Sequence, residues 1–277
     1  MNFTAPAFVL GLPLVVLLHR LLPPCARWVL LLAASLGFYA LGSPKALPLL
    51  ACITLGTYAA ALAIGRCKNR VGRKLWLCCA AILCLGCLGV FKYAGLFGTG
   101  PSLLLPAGIS FYTFQTLGYV IDVYRGRLAP ERHLGYYALF VSFFPTLING
   151  PIERYPQLRP QIRKSRRFSY QRCAGGAFRM LWGYTKKMVL ADNMNLYIKM
   201  VYDTPAEMNG PNLVAATLLF SLRLYLDFSG CCDIAIGAAR ILGYDLLENF
   251  HSPFEATSFA GLWQRWHMSL TGWLRDY

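Results

Sequence analysis

The sequence predicts an all-α polytopic membrane protein, and three observations support this fold class. Of the 277 residues, 56% are hydrophobic and only 14% are charged, whereas a soluble domain carries about 25% charged residues. The mean hydropathy is +0.45. Long runs contain no Asp, Glu, Lys or Arg, and most of them approach or exceed the roughly 20 apolar residues that span a bilayer core. These runs are residues 1–19, 28–44, 46–65, 75–91, 93–121 and 133–152.

The first third of the chain predicts four plain membrane spans, at about residues 6–19, 28–41, 47–65 and 75–91. A cleavable signal peptide is the alternative for the first of them. Such a peptide needs a basic start, and residues 1–7 contain no Lys or Arg. We therefore expect the first span to stay in the protein.

The loops between these spans alternate in charge. Residues 20–27 and 66–74 are rich in Lys and Arg, whereas residues 42–46 and 92–102 hold one Lys each. Because basic loops favour the cytoplasmic side, we expect a plasma-membrane protein whose N-terminus lies outside the cytoplasm. This topology signal explains most of the net charge of +15. Nucleic-acid binding is not expected, because no soluble module with a basic face is visible.

The sequence predicts no bound metal or cofactor. Half of the ten cysteines fall inside apolar runs, where a thiol behaves as a small hydrophobic group. Cys84 and Cys87 have CxxC spacing, but no second pair and no nearby histidine complete a metal site. We interpret these cysteines as parts of buried helices.

Two uncharged segments contain helix breakers beside polar and aromatic residues. The first is residues 105–115, which ends at Gln115, and the second is residues 143–151, which includes Asn149. Irregular backbone at membrane depth is tolerated where protein or a water-filled cavity surrounds it. We therefore expect a polar cavity walled by the two segments, with a simple proline kink in each as the alternative.

The stretch from Arg154 to Arg172 is basic and contains no acid. One interpretation is a cytoplasmic surface segment that lies against anionic membrane lipid. The other is a docking face for an acidic acyl donor, such as a carrier protein or a phosphate-bearing coenzyme, and the two can coexist. The docking candidates are Arg159, Arg163, Lys164, Arg166 and Arg167.

The remaining apolar segments predict further helices. Residues 176–191 predict a short helix, and residues 213–228 and 234–242 predict two more, with a break between them at Ser229 and Gly230. No linker long enough to separate a second domain is visible. The chain therefore predicts one transmembrane domain over residues 1–277, with plain spans in 1–100 and the chemical motifs in 101–277.

Charged residues lie within or beside these last apolar segments. Arg223 and Asp227 have the i,i+4 spacing that lets an ion pair form on one helical face. Charges in membrane segments usually face the interior of a bundle and pair there. The alternative is that Asp227 and Asp233 line a substrate path.

The C-terminal segment places one histidine among three tryptophans. Its four apolar anchors have the spacing i, i+3, i+7 and i+10, which predicts one face of a helix: Trp263, Trp266, Leu270 and Trp273. His267 lies beside that face. One interpretation is an interfacial helix that tryptophans anchor in the membrane. The other is that His267 is a general base, since a neutral imidazole can take a proton from a hydroxyl nucleophile near pH 7.

Taken together, these motifs resemble the membrane-bound O-acyltransferase (MBOAT) family, in its alginate O-acetyltransferase type. Four blocks carry the resemblance from about residue 100 to the end, in the family's order and spacing. The fourth block leads from Glu248-Asn-Phe to Trp-Gln-Arg-Trp-His-Met-Ser-Leu. The blocks are residues 105–126, 143–154, 225–237 and 248–277.

The resemblance implies a helical bundle with broken or re-entrant helices around a central tunnel. It also implies transfer of an acyl group, usually acetyl, from a cytoplasmic donor such as acetyl-CoA or an acyl carrier. The acceptor would be a hydroxyl of an exported or cell-envelope polysaccharide such as alginate, and a helper protein outside the cytoplasm would complete the transfer. His267 is then the catalytic candidate. The candidate tunnel-lining residues are Gln115, Asn149, Asp227, Asp233, Trp266 and Ser269.

The chain also departs from the family pattern. Cys231 and Cys232 stand where Tyr-Ser is common, and His251 stands where a basic or amide residue is usual. The family's second histidine, which is usually assigned the catalytic role, follows the first by some tens of residues and is absent from this sequence. We therefore expect the N-terminal portion of a longer fold, inactive alone. D-alanyl transfer to teichoic acid and a membrane transporter or channel are the alternative functions.

Overall fold

The first third of the chain folds into four helices at the positions that the sequence predicts. The computed structural model describes residues 3–93, 106–164 and 168–277. Proline occupies the first turn of the first and third helices, where its fixed φ suits the helix and its missing N–H needs no partner. The four helices are α1 (Pro6–Leu21), α2 (Arg27–Gly42), α3 (Leu47–Arg66) and α4 (Arg70–Tyr93).

By length and composition, three helices in the described residues can cross a membrane. They are Pro44–Arg66, which includes a 3-10 turn before α3, then Arg70–Tyr93 and Gly210–Leu242. The 16-residue helices α1 and α2 are shorter but also apolar. Large apolar side chains on α1 and α4, such as Leu10 and Ile82, are more than 70% exposed. Surfaces of this kind suit lipid rather than water, and the expected membrane protein with an all-helical fold is confirmed.

The two segments with helix breakers touch each other; the first is helical from Ile109 onward, and the second is broken around a four-residue helix. Gly108 precedes the fifth helix with a left-handed φ of 73°, and a Cβ on it would lie 1.9 Å from the carbonyl oxygen of Leu147. The backbones are therefore in direct contact at this point. The first segment begins at residue 105, which lies outside the described residues. The helices here are α5 (Ile109–Tyr124), α6 (Leu134–Ser142), α7 (Phe144–Leu147) and α8 (Tyr155–Arg163).

The predicted helix at residues 176–191 is part of a longer helical stretch. It comprises α9 (Tyr170–Tyr184), a π-helical segment (Thr185–Ala191) and α10 (Asp192–Asp203). A π-helical turn widens the helix and is often found at functional sites. Here it contains two adjacent lysines, Lys186 and Lys187.

The predicted break at Ser229 and Gly230 is wrong. One 33-residue helix, α11 (Gly210–Leu242), runs through both residues. Gly230 serves close packing instead of a turn, because a Cβ on it would lie 2.8 Å from the carbonyl oxygen of Gly183 in α9. The segments at 213–228 and 234–242 therefore belong to one element.

The predicted continuous helix around the C-terminal tryptophans is also wrong. Trp266 is extended and His267 is left-handed, and they separate α12 (Phe259–Arg265) from α13 (Met268–Asp276). The four apolar anchors consequently do not share one face. Trp263 is 44% exposed, whereas Trp273 is buried and its indole N–H donates to the carbonyl oxygen of Phe114 at 2.9 Å.

The N-terminal helices and the later helices share one apolar core. Its largest fully buried side chains include tyrosines whose hydroxyls bond across helices. The hydroxyls of Thr57 in α3 and Tyr137 in α6 are 2.8 Å apart, and Ser35 in α2 accepts the backbone N–H of Phe144 at 3.1 Å. These bonds satisfy polar groups that burial would otherwise leave without partners. They also fix the broken segment at 143–151 against the N-terminal helices.

Candidate active site

His267 lies at the junction of α12 and α13, between two phenyl rings. Its φ of 44° and ψ of 51° are left-handed, which costs a residue with a Cβ about 1–2 kcal/mol. The ring stacks beside Phe111 of α5, with centroids 6.3 Å apart, and meets the edge of Phe228 of α11 at 4.8 Å. Such strain persists only where surrounding contacts impose it. The packing around His267 therefore holds the junction in this conformation.

The surroundings of His267 keep its imidazole neutral. Burial lowers the pKa of His267 to about 4, because an apolar environment disfavours the charged form. Its Nδ1 is buried and has no hydrogen-bond partner among the described residues. A neutral imidazole with an unused ring nitrogen can accept a proton from a hydroxyl group.

Two predicted tunnel residues, Asn149 and Ser269, belong to one polar network beside His267. The thiol of Cys232 donates to the carbonyl oxygen of Asn149 at 3.4 Å and accepts the side-chain N–H of Asn249 at 3.2 Å. Asn249 in turn accepts the backbone N–H of Ser269 at 3.3 Å, and the Ser269 hydroxyl accepts the N–H of Ile152 at 3.0 Å. The network joins the broken segment, α11 and the start of α13.

Trp266, also predicted to line a tunnel, lies in a cluster of aromatic rings. Its indole packs edge-on against Phe250 at 5.2 Å and lies 6.0 Å from Tyr225 of α11. With Trp263 and the α11 residue Leu224, it lines an open apolar groove of about 260 Å³. The residue that precedes His267 therefore borders open space.

Gln115 belongs to a separate region. Its side-chain N–H donates to the carbonyl oxygen of Phe140 at 2.7 Å, and its Oε1 is buried without a partner among the described residues. It faces a narrow space that Glu153 and Trp273 also line. The structure does not join Gln115 to the hydrogen-bond network beside His267.

Asp227 and Asp233 pair with the π-helical segment. Lys187 contacts Asp227 at 2.6 Å, and Lys186 contacts Asp233. The predicted pair of Arg223 with Asp227 is wrong, since Asp227 turns toward Lys187 across the helix interface. Asp233 also accepts the Nε–H of Arg179 in α9 at 2.9 Å. Two adjacent lysines of the π-helical segment thus pair with acids six residues apart on α11.

Two of the predicted donor-docking residues bind a buried acid. Arg159 donates to Glu131 at 2.9 Å, and Arg163 donates to both oxygens of the same carboxylate at 2.9 and 3.0 Å. Glu131 is 2% exposed, whereas both guanidinium groups are more than one third exposed. Lys164 is exposed. Arg166 and Arg167 lie outside the described residues.

Sequence reasoning missed three polar residues that shape this region. They are Glu131, Glu153 and Asn249, and each is at most 2% exposed. Glu153 accepts the N–H of Leu247 at 2.7 Å, and burial raises its pKa to about 8. Glu153 and Asn249 lie within the motif blocks that carry the family resemblance, so the sequence marks both positions. It does not show which residues their side chains contact. Glu131 precedes the basic stretch and carried no signal.

The chain is similar to proteins with three different names. The "Probable alginate O-acetylase AlgI" of Azotobacter vinelandii is 37% identical over 294 residues, which cover 100% of this chain and 58% of the relative. The "Peptidoglycan O-acetyltransferase" of Helicobacter pylori is 32% identical, covering 99% of this chain and 60% of the relative. The "Teichoic acid D-alanyltransferase" of Bacillus subtilis is 32% identical over 61% of this chain and 44% of the relative.

The chain thus spans about three fifths of the length of the first two relatives. The sequence profile of MBOAT, the membrane-bound O-acyltransferase family, matches residues 132–277. The matched region holds the broken segment at 143–151, the charged helix α11 and the junction at His267. By this match, which covers more than half of its residues, the chain belongs to the membrane-bound O-acyltransferase family.

Proposed function

We propose that the protein takes part in O-acyl transfer, moving an acetyl group onto hydroxyls of an exported or cell-envelope polysaccharide such as alginate. The observation that carries the proposal is His267, a neutral imidazole held in a left-handed junction with an unused ring nitrogen. The two relatives aligned over essentially the whole chain have names that describe O-acetyl transfer to alginate and to peptidoglycan.

In this proposal His267 accepts the proton of the acceptor hydroxyl as its oxygen bonds to the acyl carbonyl carbon. The thioester C–S bond of the donor breaks, and the proton passes from the imidazolium to the departing thiolate. General-base help of this kind contributes about 10²–10⁴-fold in rate. The acyl group comes from a cytoplasmic donor, acetyl-CoA or an acyl carrier, and the enzyme lies in the plasma membrane. The donor docks on the basic residues from Arg159 to Arg167. An extracytoplasmic helper protein completes the transfer to the polymer.

The second candidate is D-alanyl transfer to teichoic acid. A specific observation favours it, namely the similarity to the Bacillus subtilis D-alanyltransferase. That similarity covers 61% of the chain, whereas the O-acetyl relatives align with 99–100% of it. We therefore place acetyl transfer first. Mild alkali releases ester-linked groups from the polymer, and identifying acetate or D-alanine among them separates the two candidates.

The test replaces His267 in the native gene product. We expect His267→Ala to lower the acetyl content of the exported polysaccharide, measured by proton NMR, because the proton acceptor is lost. The matched control is His251→Ala, whose exposed side chain belongs to the same loop region and whose backbone N–H alone makes the bond to Arg265. Equal amounts of both variants in the membrane fraction must be verified by immunoblot.

Full acetylation in His267→Ala would remove His267 from the reaction. A transporter is the remaining alternative, and it predicts a different pattern. Solute flux in vesicles would then depend on the Asp227 charge and survive His267→Ala. That combination would replace the acyltransferase proposal.

A further inference from the structure

The segment at residues 249–251 runs beside the chain that carries His267 and holds it on both sides. The N–H of His251 donates to the carbonyl oxygen of Arg265 at 3.0 Å, and the N–H of Met268 donates to the carbonyl oxygen of Asn249 at 2.9 Å. The two bonds flank Trp266 and His267. They account for the left-handed backbone of His267, because a strained conformation persists where flanking contacts fix the chain.

His267 is the N-cap residue of α13, but its side chain does not cap the helix. The first N–H groups of a helix lack intrahelical partners and need acceptors from elsewhere. At the start of α13, Asn249 supplies two such acceptors. Its carbonyl oxygen accepts the N–H of Met268, and its side-chain oxygen accepts the N–H of Ser269 at 3.3 Å.

Another histidine of the same chain shows the alternative. His133 is the N-cap residue of α6, and its Nδ1 accepts the N–H of Tyr136 at 3.2 Å. In that position the ring nitrogen is already hydrogen-bonded to the helix backbone. The Nδ1 of His267 has no partner among the described residues. The two helix starts differ in two respects: His133 has an extended backbone and His267 a left-handed one, and at α13 Asn249 accepts the N–H groups of Met268 and Ser269 while the N–H of Leu270, the counterpart of Tyr136, donates to the carbonyl oxygen of His267.

Asn249 is itself held firmly. It is 1% exposed, and its side-chain N–H donates to the thiol of Cys232 at 3.2 Å. Both ends of the amide are therefore used, one on α11 and one on α13. A buried amide with both ends bonded has a fixed orientation. It cannot turn away from the helix without leaving polar groups unpaired.

We propose that Asn249 is a positioning residue that caps α13 in place of His267 and so leaves the imidazole free for acyl transfer. The proposal rests on the proposed function. It differs from a purely structural role because the side-chain oxygen, rather than the amide as a whole, does the capping. Asp keeps that oxygen and Ala does not.

The experiment compares Asn249→Ala with Asn249→Asp in the native gene product. We expect Asn249→Ala to lower the rate of acetyl transfer about 10–100-fold, as misplacement of a catalytic group does, with little change in KM. Asn249→Asp should restore most of the rate. The control is Asn209→Ala, which removes the side-chain cap of α11 and should leave the rate unchanged.

A readout independent of activity is the ¹⁵N NMR spectrum of the histidine side chains in detergent micelles, with His267 assigned from His267→Ala. We expect the Nδ1 signal of His267 to move toward a hydrogen-bonded position in Asn249→Ala and to stay in place in Asn249→Asp and Asn209→Ala. An unchanged Nδ1 signal in Asn249→Ala overturns the proposal, whatever the rate. If His267→Ala keeps full activity, the proposed function fails, and the Nδ1 signal still decides whether Asn249 caps α13.

Discussion

Glu131 shows how one buried acid organises a basic surface. Its carboxylate accepts bonds from Tyr155, Arg159 and Arg163 and from the backbone N–H of His133. Burial alone would raise the pKa of Glu131, but these donors and positive charges outweigh it and lower the pKa below its ordinary value of 4.5. The two arginines remain charged and half-exposed, so the site still presents positive charge outward.

The pH dependence of stability follows from this lowered pKa. A carboxyl whose pKa is lower in the fold stabilises the fold above its ordinary pKa and loses that effect as the pH falls through the lowered value. We expect Glu131→Gln to reduce the free energy of unfolding at pH 7 by about 2–3 kcal/mol, less than for fully buried pairs because the arginines are exposed. Glu207→Gln, at an exposed position, is the control.

The measurement is thermal unfolding of the purified protein in detergent between pH 3 and pH 7. The gap between Glu131→Gln and the unaltered protein should narrow as the pH falls below 4.5, the ordinary pKa of a glutamate carboxyl, through the lowered pKa of Glu131. If the difference in thermal stability stays constant over this pH range, the charge of Glu131 does not stabilise the protein. Glu207→Gln should follow the unaltered protein throughout.

At the residue scale, the sequence identified the histidine but not what surrounds it. His267 stood out because an imidazole among tryptophans is unusual in a lipid-adapted chain. Its neighbours Phe111 and Phe228 come from helices far away in sequence, and Asn249 lies 18 residues upstream. Contacts of this length depend on the packing of whole helices, which local patterns do not encode.

At the element scale, the contact between α9 and α11 depends on glycines at matching levels. A Cβ on Gly183 would lie 2.7 Å from the carbonyl oxygen of Gly230, and one on Gly237 would lie 2.6 Å from that of Gly176. Small residues let helix backbones approach closely inside a membrane. This approach also brings Lys186 of the π segment within reach of Asp233.

Gly183→Ala should therefore separate the two helices and destabilise the protein by about 1–3 kcal/mol, as overpacking does. Gly175→Ala is the matched control on the same helix, because a Cβ there meets nothing within 4 Å. We expect it to be neutral or slightly stabilising, since Ala favours a helix over Gly. The measurement is the midpoint of thermal unfolding in detergent, and equal midpoints for the two variants would contradict the packing argument.

Apolar helices were predictable and irregular ones were not. The first four helices follow from uncharged apolar runs, and all four lie close to where the sequence predicts them. The long helix α11 was divided wrongly because Ser229 and Gly230 look like a break in a linear pattern. The break at Trp266 and His267 has no Gly or Pro to reveal it, since it is imposed by the segment at 249–251.

At the scale of the whole molecule, the basic loops meet at one end of the bundle. Arg20 at the end of α1 donates to the carbonyl oxygen of Ile241 at 2.7 Å, and Arg73 at the start of α4 donates to that of Tyr124 at 2.6 Å. Helix α8 connects the ends of α11 and α5. Gln161 bonds the backbone of Asp245, just after α11, and another residue of α8 binds Glu131 in the loop that follows α5. Loops far apart in sequence thus form one basic end.

Because a basic end faces the cytoplasm, the loops that carry Cys25 and Cys67 should lie inside the cell and Lys45 outside. The two thiols are native, and Cys25 is exposed. We expect a membrane-impermeant maleimide to leave both unlabelled in intact spheroplasts and to label Cys25 after permeabilisation, as read by peptide mass spectrometry. Lys45→Cys, at an exposed position, should be labelled in intact spheroplasts. The opposite labelling pattern would place the N-terminus inside the cell and the basic end outside. The proposed donor site would then also lie outside, because Arg159 and Arg163 belong to the same end.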